Sequence, residues 1–129
     1  MNVYLNARWG RREEMRIRRN MLELRGHRVT SRWLDVGDDT APGVGAKIDL
    51  DDIDTADALI AFTEPPEVGY TTGGRHVEFG YAIAKGKPVL IVGPRENVFC
   101  HLDGIIATSG NAGILAWLTM LATERGGPG

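Results

Sequence analysis

Three short runs constrain this chain more than any other feature: NVYLN at 2–6, DALIAF at 57–62 and KPVLIVG at 87–93. Each is largely apolar and no longer than a strand, so each reads as a buried strand. The stretches between them carry helical spacing. GRREEMRIRRNMLELRG follows the first run, with Ile17, Met21 and Leu24 at helical intervals and Met15 and Leu22 beside them. Gly26 supplies the stop. HRVTSRWL (27–34) has the alternating character of a second strand, and residues 35–48, DVGDDTAPGVGAKI, read as a loop through their glycines, proline and acids. DLDDIDTA (49–56) reads as a short helix with aspartates favouring its N-terminus. TEPPEVGYTT (63–72) is a loop, and residues 73–85 form a helix with Val77, Tyr81 and Ala84 on one stripe. GIIAT (104–108) is a short fifth strand, and AGILAWLTMLATE (112–124) is a closing helix with Ile114, Leu118 and Leu121 in register.

Strands alternating with helices at this spacing predict a parallel sheet covered on both faces. Right-handed crossovers make it an α/β, doubly wound, five-stranded parallel sheet, for which the expected order is 2-1-3-4-5. A chain of 129 residues fits one domain, here 1–125, with a flexible tail at 126–129. Such sheets bind ligands at the carboxyl ends of their strands, near the switch point between strands 1 and 3. That rule ranks the polar residues. Tyr4 lies in strand 1 near its carboxyl end. Glu78 lies near the start of the helix that follows strand 3. A helix at 49–56 running antiparallel to strand 3 brings its N-terminal Asp49 to the same edge. Asp57 begins strand 3 and belongs at the opposite edge, so it reads as structural.

The apolar fraction is 43%, the charged fraction 25% and the net charge -2, so bulk charge makes no case for nucleic-acid binding. The charge is uneven, with nine arginines against three acids in residues 1–33 and ten acids against one lysine in 34–67. That pattern reads as a solvated basic helix beside an acidic region, or as a local anion site near the first helix. One cysteine, Cys100, allows no intrachain disulfide, and no apolar run approaches membrane-spanning length, so a cytoplasmic protein is expected. His27, His76 and His101 form no HExxH-type pair, and no metal site is expected. Cys100 next to His101 is poor geometry for a nucleophile and its base. Neither a G-x-G-x-x-G fingerprint nor a G-x-x-x-x-G-K-[ST] loop is present, so no organic cofactor is expected either. What remains is a pair of carboxylates with a tyrosine. An ionised, oriented glutamate is a competent nucleophile toward a sugar anomeric carbon. Glu78 reads either as a helix-start carboxylate, kept ionised by the dipole, or as that nucleophile. Tyr4 could hold it, and Asp49 could handle a proton on a leaving group.

Four stretches carry a resemblance: VYLNARWGRREE, DLDDIDTADALIAFTEP, GGRHVEFGYAIAKGKPVLIVG and NVFCHL. Together they are similar to the nucleoside 2-deoxyribosyltransferase family, including its nucleotide N-glycosidase branch. The third is the most specific, because a glycine-led helix with G-x-x-x-E-F/L-G-Y-A and then G-K-P-V is a hallmark of that family. The resemblance implies a flavodoxin-like fold and cleavage of the N-glycosidic bond of a nucleoside or its 5′-monophosphate. It implies that Glu78 attacks the anomeric carbon, that Tyr4 orients it, and that Asp49 is the catalytic aspartate of a D-L-x-x-I-type turn before strand 3. Transferases of the family carry an aspartate six residues before the glutamate, where this chain has Thr72, with Gly74 matching the glycine of the motif. The nucleotide-hydrolysing branch has a serine there that binds a 5′-phosphate, so Thr72 is implied as a phosphate contact. Arg8 follows from the same branch, and Arg75 from position alone. Family sites are often completed by a neighbouring subunit, which points to a homodimer or larger homo-oligomer and to Asn97 as a contributor. A non-catalytic nucleotide-binding module on the same fold, and nucleic-acid binding through the arginine-rich helix, stand as alternatives.

Overall fold

The computed structural model describes residues 1–37, 39–69 and 72–126. The five strands are β1 (Asn2–Asn6), β2 (Arg28–Val29), β3 (Ala58–Phe62), β4 (Val89–Val92) and β5 (Ile106–Thr108). All neighbours pair in parallel, in the order β2-β1-β3-β4-β5, so the doubly wound, flavodoxin-like topology read from the sequence is the observed one. The helices are α1 (Arg12–Leu24), α2 (Pro42–Thr55), α3 (Gly74–Ala84) and α4 (Asn111–Glu124). Helices α2 and α3 pack on each other and on β1, while α4 packs against β4 and is tied to α1 through Arg18 and Asn111. Every residue of β3 and β4 is buried, as continuous apolar runs flanked by helices require. Of the tail expected at 126–129, residues 127–129 lie outside the described residues, as do Asp38, Tyr70 and Thr71 within the two expected loops. Among the described residues no helix is long and apolar enough to cross a membrane.

Four expectations about local structure are corrected. The loop expected at 35–48 ends early, because α2 starts at Pro42 rather than at Asp49. Proline at the first helical position has its φ preset and lacks only an N–H that would have had no partner. Gly43 and Gly45 lie in the helix despite their cost of about 1 kcal/mol each. Packing of the second half, where Asp52 and Ile53 are buried, overrides local propensity.

The second strand is two residues, not eight. Beyond Val29 the ladder is completed by side chains. Leu5 donates its backbone N–H to Ser31 Oγ at 2.8 Å, and its carbonyl accepts from Trp33 Nε1 at 2.9 Å. The chain then turns through a 3₁₀ segment, Arg32–Leu34. Asp52 clamps that turn by accepting from Arg32 N and Nε, each at 2.8 Å.

On α1 the buried residues are Met15 and Leu22, whereas Ile17 is 71% and Leu24 86% exposed. The position between the two buried residues is filled by Arg18, whose guanidinium lies over the Phe62 ring. A long arginine stem covers apolar surface as a leucine would, which hides the stripe from a hydrophobicity count. On α3 the buried face is Arg75, Phe79 and Ala82, and Val77 is 68% exposed. The expected stripe of Val77, Tyr81 and Ala84 is therefore rotated, and Glu78 shares the inward face. The α4 register of Ile114, Leu118 and Leu121 is observed, with Trp117 added.

Ser31→Ala should orphan the Leu5 N–H at a site where Ser31 is 3% exposed. The expected cost is about 1–3 kcal/mol, the penalty for an unpaired buried donor. Urea unfolding read by circular dichroism measures it, and an unchanged midpoint would mean the Leu5 N–H finds another partner.

Candidate active site

β1 and β3 lie side by side, but β1 connects through α1 to its left and β3 through α3 to its right. The chain parts at their carboxyl ends and leaves a cleft of about 290 Å³. Ala7, Arg8, Trp9, Trp33, Asp49, Thr72, Gly73, Gly74, Arg75 and Glu78 line it. A second lobe of about 280 Å³ adjoins it, sharing Trp9, Trp33 and Asp49 and adding Val36, Gly37, Thr40, Gly45 and Ile48. Both lobes share the two tryptophans and Asp49; the first adds Arg8, Thr72, Arg75 and Glu78, and the second adds Val36 and Ile48.

Glu78 sits in the second turn of α3. Its Oε1 accepts from the Tyr4 hydroxyl at 2.9 Å and from Asn6 Nδ2 at 3.0 Å. Tyr4 and Asn6 are two apart on β1, so both point to the same face of the sheet. Asn6 also donates to the Arg75 carbonyl at 3.0 Å and so pins the first turn of α3 to β1. Asn6 was not singled out from sequence, although its spacing from Tyr4 on a buried strand was a usable signal. Gly73 caps α3 with φ of +86°, a left-handed conformation that side-chain-bearing residues rarely adopt. The His76 and Val77 amides donate back to the Gly73 carbonyl, and the amides of Gly74 and Arg75, which line the cleft, precede the first intrahelical bond.

Asp49 lies mid-helix on α2 rather than at a helix start, yet it reaches the cleft and hydrogen-bonds Glu78. Burial, and then the charge of Glu78, raise its pKa to about 7. Burial raises Glu78 too, but hydrogen bonds from Tyr4, Asn6 and Asp49 pull it back. Asp49 is thus the member of the pair driven further toward its protonated form, and Glu78 the one that its hydrogen-bond donors hold nearer to ionised. Tyr4 is held well above its ordinary value, first by burial and then by Glu78, and remains a proton donor in that bond.

The remaining expected residues divide. Arg8, Thr72 and Gly74 line the first lobe. Arg8 donates Nε to the buried Glu64. Arg75 also lines the lobe, but its guanidinium is buried and bidentate on Glu96, with Nη2 to Oε2 at 2.6 Å. Asn97 lies outside the cleft and caps the 3₁₀ turn Val98–His101, accepting from Phe99 N at 3.0 Å. Asp57 is at the far end of the sheet, where it accepts from Asn2 N and pairs with Arg125. Cys100 is buried and His101 exposed. Trp9 and Trp33 line both lobes of the cleft, and sequence reasoning missed them. Their rings stand 6.1 Å apart, and Trp9 is 50% exposed. A half-exposed tryptophan at a cleft mouth is the signal of a stacking surface.

No family model matches this sequence, and no curated protein does. Solved structures do share the fold. The structure of Clostridium botulinum CMP N-glycosidase, BcmB, is 25% identical, with a TM-score of 0.62 over 93% of this chain and 99% of that one. A conserved protein from Enterococcus faecalis V583 is 15% identical, with a TM-score of 0.63 over 90% of this chain and 95% of that one, a likeness of fold alone. The first likeness is consistent with the nucleoside deoxyribosyltransferase-like N-glycosidase family, which the sequence motifs resemble.

Raised carboxylate pKa values carry a stability consequence. The folded state binds the extra proton more tightly than the unfolded chain, so stability is greatest below the ordinary aspartate value and declines as pH rises toward about 7. Asp49→Asn should therefore gain on the wild type between pH 5 and pH 8. The expected gain is about 1 kcal/mol, or roughly 3–5 °C of melting temperature, after discounting for partial exposure. Parallel melts across that range read it, and a difference that does not grow with pH would contradict the raised Asp49 value.

Proposed function

We propose that this chain cleaves the N-glycosidic bond of a nucleoside or its 5′-monophosphate, with Glu78 as nucleophile. The observation that carries the reading is the Glu78 carboxyl at the cleft wall, oriented by Tyr4 and Asn6 and lining the same cleft as Asp49, whose pKa is raised to about 7. Its likeness to a CMP N-glycosidase supports glycosidic cleavage as the general chemistry.

In this reading a Glu78 oxygen attacks C1′ of the sugar, and the C1′–N bond to the base breaks. Asp49 gives its proton to the departing base nitrogen. The Asp49 carboxylate then takes a proton from the water, or the second base, that attacks C1′ and frees Glu78. The two lobes suit that division. Glu78 faces only the first lobe, while Asp49 faces both. A substrate with its sugar in the first lobe and its base against Trp9 and Trp33 has its glycosidic bond between the two carboxyls. Arg8, Thr72 and the backbone amides of Gly74 and Arg75 at the start of α3 suit a 5′-phosphate in the first lobe.

Chromatography of deoxynucleosides and their monophosphates, with and without a second free base, tests the reading. Free base with sugar or sugar phosphate means hydrolysis, and a new nucleoside only with the second base means transfer. Glu78→Gln should abolish base release, by at least about 10³-fold, and leave the melting temperature near that of the wild type. A Glu78→Gln protein of normal activity would end the proposal, and binding without turnover in the wild type would favour a non-catalytic nucleotide module.

The pH profile follows from the same pair. Activity should fall as pH rises through about 7, where Asp49 loses its proton, and fall again on the acid side as Glu78 gains one. Initial rates between pH 4 and 9 check this, and an Asp49→Asn variant that retains the alkaline limb would assign that limb elsewhere.

A further inference from the structure

We infer that Arg12 is a positioning residue that holds together the aromatic wall of the second lobe. This rests on the reading that the lobe receives a nucleobase. Three contacts converge on this one side chain. Its guanidinium carbon lies 4.4 Å from the Trp9 ring centroid, within stacking range. Its Nε donates to the Leu34 carbonyl at 2.9 Å, and its Nη2 donates to the Val36 carbonyl at 2.7 Å.

These contacts join the turn after β1 to the loop at 34–36, which Arg16 and Arg19 of the same helix also reach, at Leu34 and Asp35. Trp9 belongs to the 3₁₀ turn Trp9–Arg11 after β1. Leu34 closes the turn that presents Trp33, and Val36 lines the lobe directly. The two tryptophans are tilted at 41° to each other, so they do not lock by stacking. Trp33 is fixed independently by its bond to the Leu5 carbonyl, and the half-exposed Trp9 has the Arg12 guanidinium against its ring. A planar guanidinium can present its face to a ring and its edge to two carbonyls at once, which an ammonium group cannot. Arg16 donates to the same Leu34 carbonyl at 2.8 Å but not to Val36, and Arg12 rather than Arg16 is the cation over Trp9, so Arg16 serves as an internal control.

The test reads tryptophan fluorescence, in which the buried Trp117 supplies a constant background. Acrylamide quenching of the free protein reports how well the wall is assembled. Quenching titrations with free cytosine, uracil, adenine and guanine report base binding without turnover, and a separate titration with ribose 5-phosphate reports the first lobe, which Trp9 and Trp33 also border. Arg12→Met should raise the acrylamide slope and weaken base binding about tenfold, leaving ribose 5-phosphate affinity within about twofold. Arg12→Lys should recover only part of the base affinity, and Arg16→Met should match the wild type. The inference is overturned if Arg12→Met keeps wild-type quenching and base affinity, if Arg16→Met loses as much, or if both ligands weaken equally. Should Arg12→Met fail to fold, Arg12→Lys decides alone, and wild-type affinity in it overturns the inference. If the wild type binds no base, the functional reading fails. The acrylamide slope then still settles whether Arg12 holds the wall.

Discussion

A single oxygen, Oε1 of Glu78, receives hydrogen bonds from two side chains of β1, and the site is organised around that meeting. Tyr4 and Asn6 can deliver them because β1 is held on both sides, by β2 and by β3, and both residues are buried. A strand in the middle of a sheet has little freedom to drift, so donors carried on it are held to a fraction of an ångström. Helix α3 is brought to those donors by Phe79 and Ala82 on its inward face, and its first turn is fastened by Asn6 to the Arg75 carbonyl. Burial alone would drive Glu78 toward its neutral form, and three hydrogen-bond donors offset that pressure.

Burial and the charge of Glu78 push Asp49 toward its protonated form, and the two carboxyls titrate as one unit. Their environments are pushed apart as an acid and a base require, since Glu78 is supplied with donors while Asp49 has the charges of Glu78 and Asp52 beside it. Asp52 in turn fastens the turn carrying Trp33, so α2 supports both the proton and the aromatic wall.

The arginines of α1 also take part in the scaffold. Arg11 and Arg18 pair with Glu14, Arg19 with Asp35, and Arg12 and Arg16 with the Leu34 carbonyl. Arg11 and Arg18 further cover the Phe62 ring. A basic run that looked like a solvated face thus ties the helix to the loops that border the cleft. The same residues explain why the α1 stripe was misread, because an arginine stem on an aromatic ring buries apolar surface without counting as apolar.

Sheet order, strand content and the placing of Tyr4 and Glu78 at one edge were legible because they depend on local periodicity and on the handedness of crossovers. Asp49 was also placed at the cleft, though by a helix start that is not there. Its position comes from packing of α2 against α3 across a helix that begins at Pro42. What could not be read was everything that depends on distant segments meeting. Asn6 matters only because α3 folds back over β1, and the two tryptophans form a wall only because Ser31 and Trp33 replace strand pairing at Leu5. Arg75 turned to Glu96 for the same reason, since a polar side chain takes the partner that tertiary packing brings. The sequence by itself determined the order of strands and helices and the chemical groups available at one edge, through interactions between near neighbours. Only the tertiary structure decided which of those groups share a proton, which face a ligand and which are bound up in the scaffold. Those choices follow from burial and from distances between residues far apart in the chain.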